Sequence, residues 1–224
     1  MLALSKTLDP TDFEQLTDEL AVVDRYFTSA REQHPLRRWE YALALRAATT
    51  WRAQATPHSI GWADVGGAGS PFHRMLTELL DVDPTLPRSG RIIDPDLPIN
   101  SCTLAEHLAQ GAALRELVFC LSVLEHVEDL DQFLYHLSCL VAPGGLLFLT
   151  LDYCDALVDD WPEDRYHFHW MRRRIANQYG WRLGGAEVLT QQHSFSLLGD
   201  HDWTYHGDHV FNYSFASLAL VKRA

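Results

Sequence analysis

The chain has 224 residues, 47% of them hydrophobic and 21% charged, which suits one domain with a sizeable core and excludes a disordered chain. Its formal net charge of -12 repels phosphate backbones and argues against nucleic acid as a partner. No apolar run reaches membrane-spanning length, and MLALSKTLDP lacks the basic start and long apolar run of a signal peptide, so a cytoplasmic protein with no membrane association is expected.

In DPTDFEQLTDELAVVDRYF, Phe13, Leu16, Leu20, Val23 and Phe27 recur at helical spacing, and Thr11 with Glu14 suggests a capping box. A second helix follows from about Pro35, with Trp39, Leu43 and Ala47 on one face. QATPHS (54–59) reads as a linker, so residues 1–56 are expected to form an N-terminal helical cap ahead of a main domain at 57–224.

From residue 60 the pattern becomes strand, turn, helix, repeated. IGWADV is a strand, Ser70 a natural N-cap, and Pro71 a natural first helical residue. Phe72, Met75, Leu76, Leu79 and Leu80 give that helix its buried face. GRIID (90–94) is a second strand and LPINSC a third. Thr103 and Glu106 cap a short helix ending near Gly111. ELVFCLSV (116–123) is nearly all apolar, as a strand covered on both faces should be. The next helix buries Leu130, Phe133, Leu134, Leu137 and Leu140 and stops at PGG (143–145), before the strand LLFLTL (146–151). A further helix carries Met171, Ile175 and Tyr179, and the strand-like runs GGAEVLTQ and YSFASLALVK follow. This alternation implies an α/β fold with a parallel sheet and right-handed crossovers. Cys102, Cys120, Cys139 and Cys154 form no CxxC pair and are expected to be reduced small hydrophobes.

The stretch DVGGAGS (64–70) places a glycine-rich turn between a strand and a helix, where backbone approaches a ligand at the sheet's carboxyl edge. A dinucleotide fingerprint needs G-x-G-x-x-G; read from Gly67 the last glycine is Phe72, and read from Gly66 the second is Ala68. Asp64, ending the first strand, would repel a pyrophosphate and welcome a cationic or zwitterionic group. Asp94, ending the second, is placed to accept hydrogen bonds from a ribose diol. Each acid alone reads more readily as a turn residue, Asp64 capping a tight turn and Asp94 preceding Pro95. Together, with the glycine turn between them, they favour an adenosyl ligand carrying an amino acid tail.

ADVGGAGSPF, RIIDPD and VFCLSVLEHVEDLDQFLYHLSCLVAPGGLLFLTLDY together resemble the class I S-adenosylmethionine-dependent methyltransferases, over about residues 60–151 and more loosely to 222. The resemblance implies a Rossmann-like three-layer sandwich with a seven-stranded, mostly parallel sheet whose last strand is antiparallel. It implies S-adenosyl-L-methionine as cofactor. Asp64, Gly66, Gly67, Ala68 and Gly69 would hold the methionine moiety, Asp94 the ribose hydroxyls, Asn100 and Ser101 the adenine, and Leu121 and Ser122 the cofactor's flank. The family loop commonly has a glycine where this chain has Ala68, and an acid where it has Asn100. Ala68 adds a methyl where backbone approaches the ligand, so a non-catalytic relative that binds a protein partner is the alternative.

Methyl transfer from a sulfonium is an in-line displacement, in which the protein mostly positions the reactants. A base is needed only when the acceptor arrives protonated; His126, directly after the fourth strand, is the candidate. LEH starting a helix, with structural hydrogen bonds, is the competing reading. Some family members have E-x-x-E-H here and bind a divalent cation; Ser122 removes the first acid, so no metal is expected. The His201, Asp202, His206, Asp208, His209 cluster matches no metal-ligand spacing. Tyr41 in RRWEY, Tyr153, Trp161, Trp203 and Tyr205 are the candidate acceptor contacts, with loop aromatics packing the domain's edge as the alternative. The expected reaction is methyl transfer to a small-molecule acceptor, with an O-methyl acceptor on a sugar, lipid precursor or secondary metabolite favoured; a homodimer is left open. A nicotinamide-dependent oxidoreductase is the rival that the missing third glycine and Asp64 oppose.

Overall fold

The computed structural model describes residues 4–8, 11–27, 35–55, 60–80, 88–153, 181–183, 187–188, 204–205, 209–210 and 214–223. It opens with a short strand, β1 (Ser5–Thr7), and two helices, α1 (Asp12–Gln15) and α2 (Thr17–Tyr26). The single helix expected here is thus broken at Leu16. The capping box expected at Thr11 does not form: Thr11 has helical φ and ψ of -67° and -14° and makes no side-chain cap hydrogen bond, whereas an N-cap needs extended backbone. Leu16, Leu20, Val23 and Phe27 are buried as their spacing requires. Buried Asp12 accepts a hydrogen bond at 2.7 Å from Trp39 Nε1 on the long helix α3 (Pro35–Gln54).

β2 (Ile60–Val65) leads through the glycine turn to α4 (Phe72–Leu80). Ser70 Oγ accepts from Phe72 N at 3.1 Å, the N-cap bond that its sequence position predicts. β3 (Arg88–Ile93), α5 (Leu104–Ala109), β4 (Arg115–Leu121), a 3-10 turn (Leu124–His126), α6 (Leu130–Leu140) and β5 (Val141–Tyr153) follow. The capping box at Thr103 and Glu106 is present in full. Beyond β5 come β6 (Trp181–Leu183), β7 (Glu187–Val188), β8 (Thr204–Tyr205), β9 (His209–Val210) and the long β10 (Ser214–Lys222).

β3, β2, β4 and β5 lie side by side and parallel, and β10 runs antiparallel along β5. The parallel part is what the alternation of strands and helices implies, and the antiparallel last strand is what the family resemblance implies. Among the described residues the sheet has eight strands, where seven were expected, because β1 and β6 pair with β10 and β7 pairs with β1; β8 and β9 pair separately. LPINSC is not a strand. Asp94 to Thr103 turns instead, with Cys102 N donating to Asp94 O at 3.2 Å. Pro98 lacks a ladder donor and Asn100 sits in the left-handed region at φ 59°, so the run has no extended backbone to pair. β1 carries no comparable sequence signal. It is held at its ends, where Leu4 and Leu8 are buried and Leu8 N donates to Phe215 O at 2.9 Å.

Alternation along the strands divides the core between the two faces of the sheet. Leu117, Phe119, Leu146, Phe148 and Ala219 pack with α2, α3 and α4. Val118, Cys120, Leu147, Leu149, Leu218 and Leu220 pack with α5 and α6. The result is a three-layer α/β/α arrangement. Trp39, Ala42, Leu43, Ala44, Leu45 and Ala47 are all buried, so this part of α3 is enclosed rather than striped. Each of its large side chains contributes about 1.5–3 kcal/mol by burial. Cys102 and Cys120 are buried, Cys139 is half-buried, and all three are free thiols; Cys154 lies outside the described residues. No helix among the described residues is long and apolar enough to cross a membrane.

Candidate functional site

At the end of β2 the chain leaves the sheet at Gly66, which has φ 79°. A Cβ there would lie 2.3 Å from Val123 Cγ2, and one on Gly67 would lie 2.3 Å from Asp64 Oδ2. Only residues without a Cβ let the turn fold so closely over the Asp64 carboxylate and the β4 exit. Gly66 N donates to Ile93 O at 2.9 Å and Ala68 N to Asp94 Oδ2 at 2.8 Å, which ties the turn to the end of β3. The other Asp94 oxygen accepts from Asp96 N at 2.8 Å. Ala68 keeps negative φ, so its methyl imposes no backbone strain on the loop.

The turn forms one wall of a cavity of about 420 Å³ at the carboxyl edge of the parallel strands. Of the predicted cofactor residues, Asp64, Gly66, Gly67, Ala68, Gly69, Leu121 and Ser122 line it, and so does Tyr41. Asp94 is buried behind the loop and is not a lining residue. Asn100 and Ser101 are exposed, and His126 is exposed on the turn after β4; none of these three lines the cavity. Tyr153 and Tyr205 lie in β5 and β9's partner strand β8, with side chains outside the described residues, as are Trp161 and Trp203. Among the described residues, no group of three His, Cys, Asp or Glu side chains converges as metal ligands would.

The opposite wall comes from the first helices, with Phe27 and Arg37 lining it. Tyr41 bridges the two walls, its hydroxyl 3.0 Å from Ser70 Oγ. Behind the wall, Glu40 is fully buried. Glu40 Oε2 accepts from Arg37 Nη1 at 2.6 Å, and Oε1 accepts from Ser122 Oγ at 2.7 Å and from the Thr150 hydroxyl. Ser122 has φ 51°. Such left-handed backbone on a non-glycine residue costs roughly 1–3 kcal/mol and persists only where surroundings enforce it. Here the enforcing groups are Glu40 and Thr150, whose Oγ1 accepts from Ser122 N at 3.0 Å.

Asp64 is 2% exposed, and its Oδ2 has no hydrogen-bond partner among the described residues. Burial, then the nearby Glu40 and Asp94 carboxylates, push it up to about 7. Tyr41 is pushed up to about 12, first by burial and then by Glu40. Arg37 is held more firmly protonated than a free guanidinium, above all by Glu40. A cavity with this acid at its floor favours a ligand with a positive charge to place beside it.

Sequence reasoning located the glycine turn and named Tyr41 of RRWEY (37–41) as a site contact, but gave Arg37 and Glu40 no role of their own. The available signal was Glu40's place between Trp39 and the apolar run Tyr41–Leu45. A lone acid in an enclosed segment is buried and must have partners.

No family model matches the chain, and no curated protein sequence matches it. Among solved structures, it is similar to an S-adenosylmethionine-dependent methyltransferase from Aquifex aeolicus, at 11% identity and TM-score 0.47 over 90% of this chain and 97% of that one. It is similar to the N-methyltransferase NodS from Bradyrhizobium japonicum WM9 in complex with S-adenosyl-L-homocysteine, at 16% identity and TM-score 0.49 over 94% and 98%. An O-methyltransferase family protein from Burkholderia thailandensis follows, at 12% identity and TM-score 0.44 over 94% and 70%.

Proposed function

We propose that this chain is an S-adenosylmethionine-dependent methyltransferase acting on a small-molecule acceptor. The observation that carries the reading is the Asp64 carboxylate: buried, unpartnered at Oδ2, and set beneath a glycine turn at the edge of a cavity. Charge supports it. With Asp64 ionised, Arg37, Glu40, Asp64 and Asp94 sum to two negative charges, which the positive charge of a sulfonium bearing a zwitterionic tail would partly offset. A pyrophosphate would bring further negative charge against Asp64. The cavity of about 420 Å³ is within the ordinary range for small-molecule sites.

When bound, S-adenosylmethionine supplies an electrophilic methyl on its sulfonium. The 66–69 turn and Leu121 would position the ligand and Asp64 would accept from the tail ammonium; Asp94 would act through the turn, whose Ala68 N–H it holds, while Asn100 and Ser101, the candidates for the adenine side, stand outside the cavity lining. Phe27 and Tyr41 exclude water from the opposite wall. For an O–H acceptor, His126, on the turn after β4 and outside the cavity lining, is the base candidate, and Tyr153, Trp161, Trp203 and Tyr205 are the candidate acceptor contacts, their side chains outside the described residues. An O-methyl acceptor of sugar, lipid-precursor or secondary-metabolite type is the favoured class.

Thermal unfolding with S-adenosylhomocysteine, with NADH as control, tests the reading. Ligand at about 100 times its dissociation constant should add about 2.7 kcal/mol of stability. Stabilisation by NADH alone would favour the oxidoreductase reading instead.

A further inference from the structure

Ser122 stands in a backbone conformation that its residue type does not favour. Among the described residues two other than glycine have positive φ, Asn100 at 59° and Ser122 at 51°. Asparagine visits this region readily; serine stays there only where its surroundings compel it. Asn100 is exposed, whereas Ser122 is buried and lines the cavity.

The compelling contacts close a ring. Glu40 Oε1 accepts from Ser122 Oγ at 2.7 Å and from the Thr150 hydroxyl. With its proton committed to Glu40, that hydroxyl turns a lone pair to Ser122 N, which donates to it at 3.0 Å and to Thr150 O at 3.3 Å. One carboxylate thus grips Ser122 twice, directly through its side chain and, by way of Thr150, through its amide. Glu40 and Thr150 are both fully buried, so the ring is shielded from solvent.

The conformation of Ser122 decides where Val123 goes. A Cβ on Gly66 would meet Val123 Cγ2 at 2.3 Å, so this valine fills the space against the glycine turn. His126 N donates to Val123 O at 2.9 Å, which carries the same constraint into the 3-10 turn. Relaxing Ser122 to negative φ would redirect Val123, and with it the wall that Gly66, Leu121 and Ser122 make.

We infer that Glu40 is a positioning residue of this site: from α3 it holds Ser122 in the left-handed conformation that sets Val123 against Gly66 and shapes the cavity. Glu40 is buried behind the wall and acts through Ser122. The inference rests on the adenosyl-ligand reading above, which supplies its probe, and adds to it a residue outside the sheet on which the shape of the site depends.

Glycine adopts positive φ without steric cost, so a glycine at 122 should replace part of the restraint that Glu40 supplies. The test measures S-adenosylhomocysteine affinity by calorimetry in Glu40→Ala, alone and combined with Ser122→Gly or with Ser122→Ala. Glu40→Ala should bind roughly fivefold to a hundredfold more weakly than wild type, the range set by the strain that the ring no longer holds. Adding Ser122→Gly should recover a large part of that loss, leaving what is due to the lost partner of Arg37. Adding Ser122→Ala, which keeps the Cβ, should recover none. If Glu40→Ala does not fold, the comparison is made with Glu40 in place. Both substitutions then remove the tether, and the alanine variant should bind at least about fivefold more weakly than the glycine variant. Glycine no better than alanine in the background that folds overturns the positioning role, and so does wild-type affinity in a folded Glu40→Ala. Wild-type protein that does not bind the probe overturns the adenosyl-ligand reading and the inference with it.

Discussion

The buried Glu40 carboxylate accepts a hydrogen bond from Ser122 Oγ at 2.7 Å, joining helix α3 to the cavity wall across 82 positions of sequence. The same carboxylate holds Arg37 and Thr150. Glu40→Ala removes three acceptor contacts at once and leaves Arg37 without its counter-charge. The Arg37 side chain is 41% exposed, so its unpaired charge is partly solvated, and the larger loss comes from the two buried hydroxyls, about 1–3 kcal/mol for each one left without its acceptor. Glu40→Gln, which still accepts from both hydroxyls, should cost less. Urea unfolding of both variants checks the order; equal loss in the two would mean that charge, not hydrogen bonding, dominates.

Asp64 makes the site pH-dependent in a definite direction. Its pKa is raised from 3.8 to about 7, chiefly by burial. The folded state therefore binds the proton more tightly than the unfolded state. This group's contribution to stability is greatest below the unfolded value and is lost as pH rises from about 4 to about 7. Without ligand, Asp64→Asn should be more stable than wild type above about pH 7, and the gap should close below about pH 4. Ligand affinity should run the opposite way in wild type, rising as Asp64 ionises to meet the ammonium. The variant should bind weakly with little pH dependence. Calorimetry across the range, in buffers of different ionisation enthalpy, reads both affinity and proton release.

Two neighbouring loop substitutions should behave in opposite ways. Gly67→Ala puts a Cβ 2.3 Å from Asp64 Oδ2 and should lower ligand affinity at least about tenfold. Ala68→Gly should change affinity little, because Ala68 already has negative φ and donates its N–H to Asp94. A large gain from Ala68→Gly would instead show that its methyl obstructs the ligand.

His126 is exposed, so His126→Ala should leave unfolding free energy within about 0.5 kcal/mol of wild type. As the proposed base it should lower turnover on a hydroxyl acceptor while ligand affinity stays unchanged. Turnover equal to wild type at every pH would remove it from the mechanism.

The parts of the fold readable from sequence are those set by local pattern. Phe119 and Val118 face opposite sides because strands alternate, and Ser70 caps because its hydroxyl meets the Phe72 N–H. The glycine turn was legible for the same reason, since Gly66 and Gly67 occupy positions where a Cβ has no room. What escaped depends on distant partners. β1 is a strand only because β10 lies beside it, with Lys6 opposite Ser217. LPINSC has the composition of a strand but turns at Asn100. Arg37 and Glu40 are a site only because Ser122 and Thr150, far along the chain, converge on the same carboxylate.

The most direct test of the central claim is calorimetric titration of S-adenosylhomocysteine into the wild-type chain and into Asp64→Ala. Saturable one-to-one binding to wild type, lost in a variant that remains folded, is the predicted result. No binding to wild type, or undiminished affinity in Asp64→Ala, would contradict the assignment of this cavity to an adenosyl ligand with an amino acid tail.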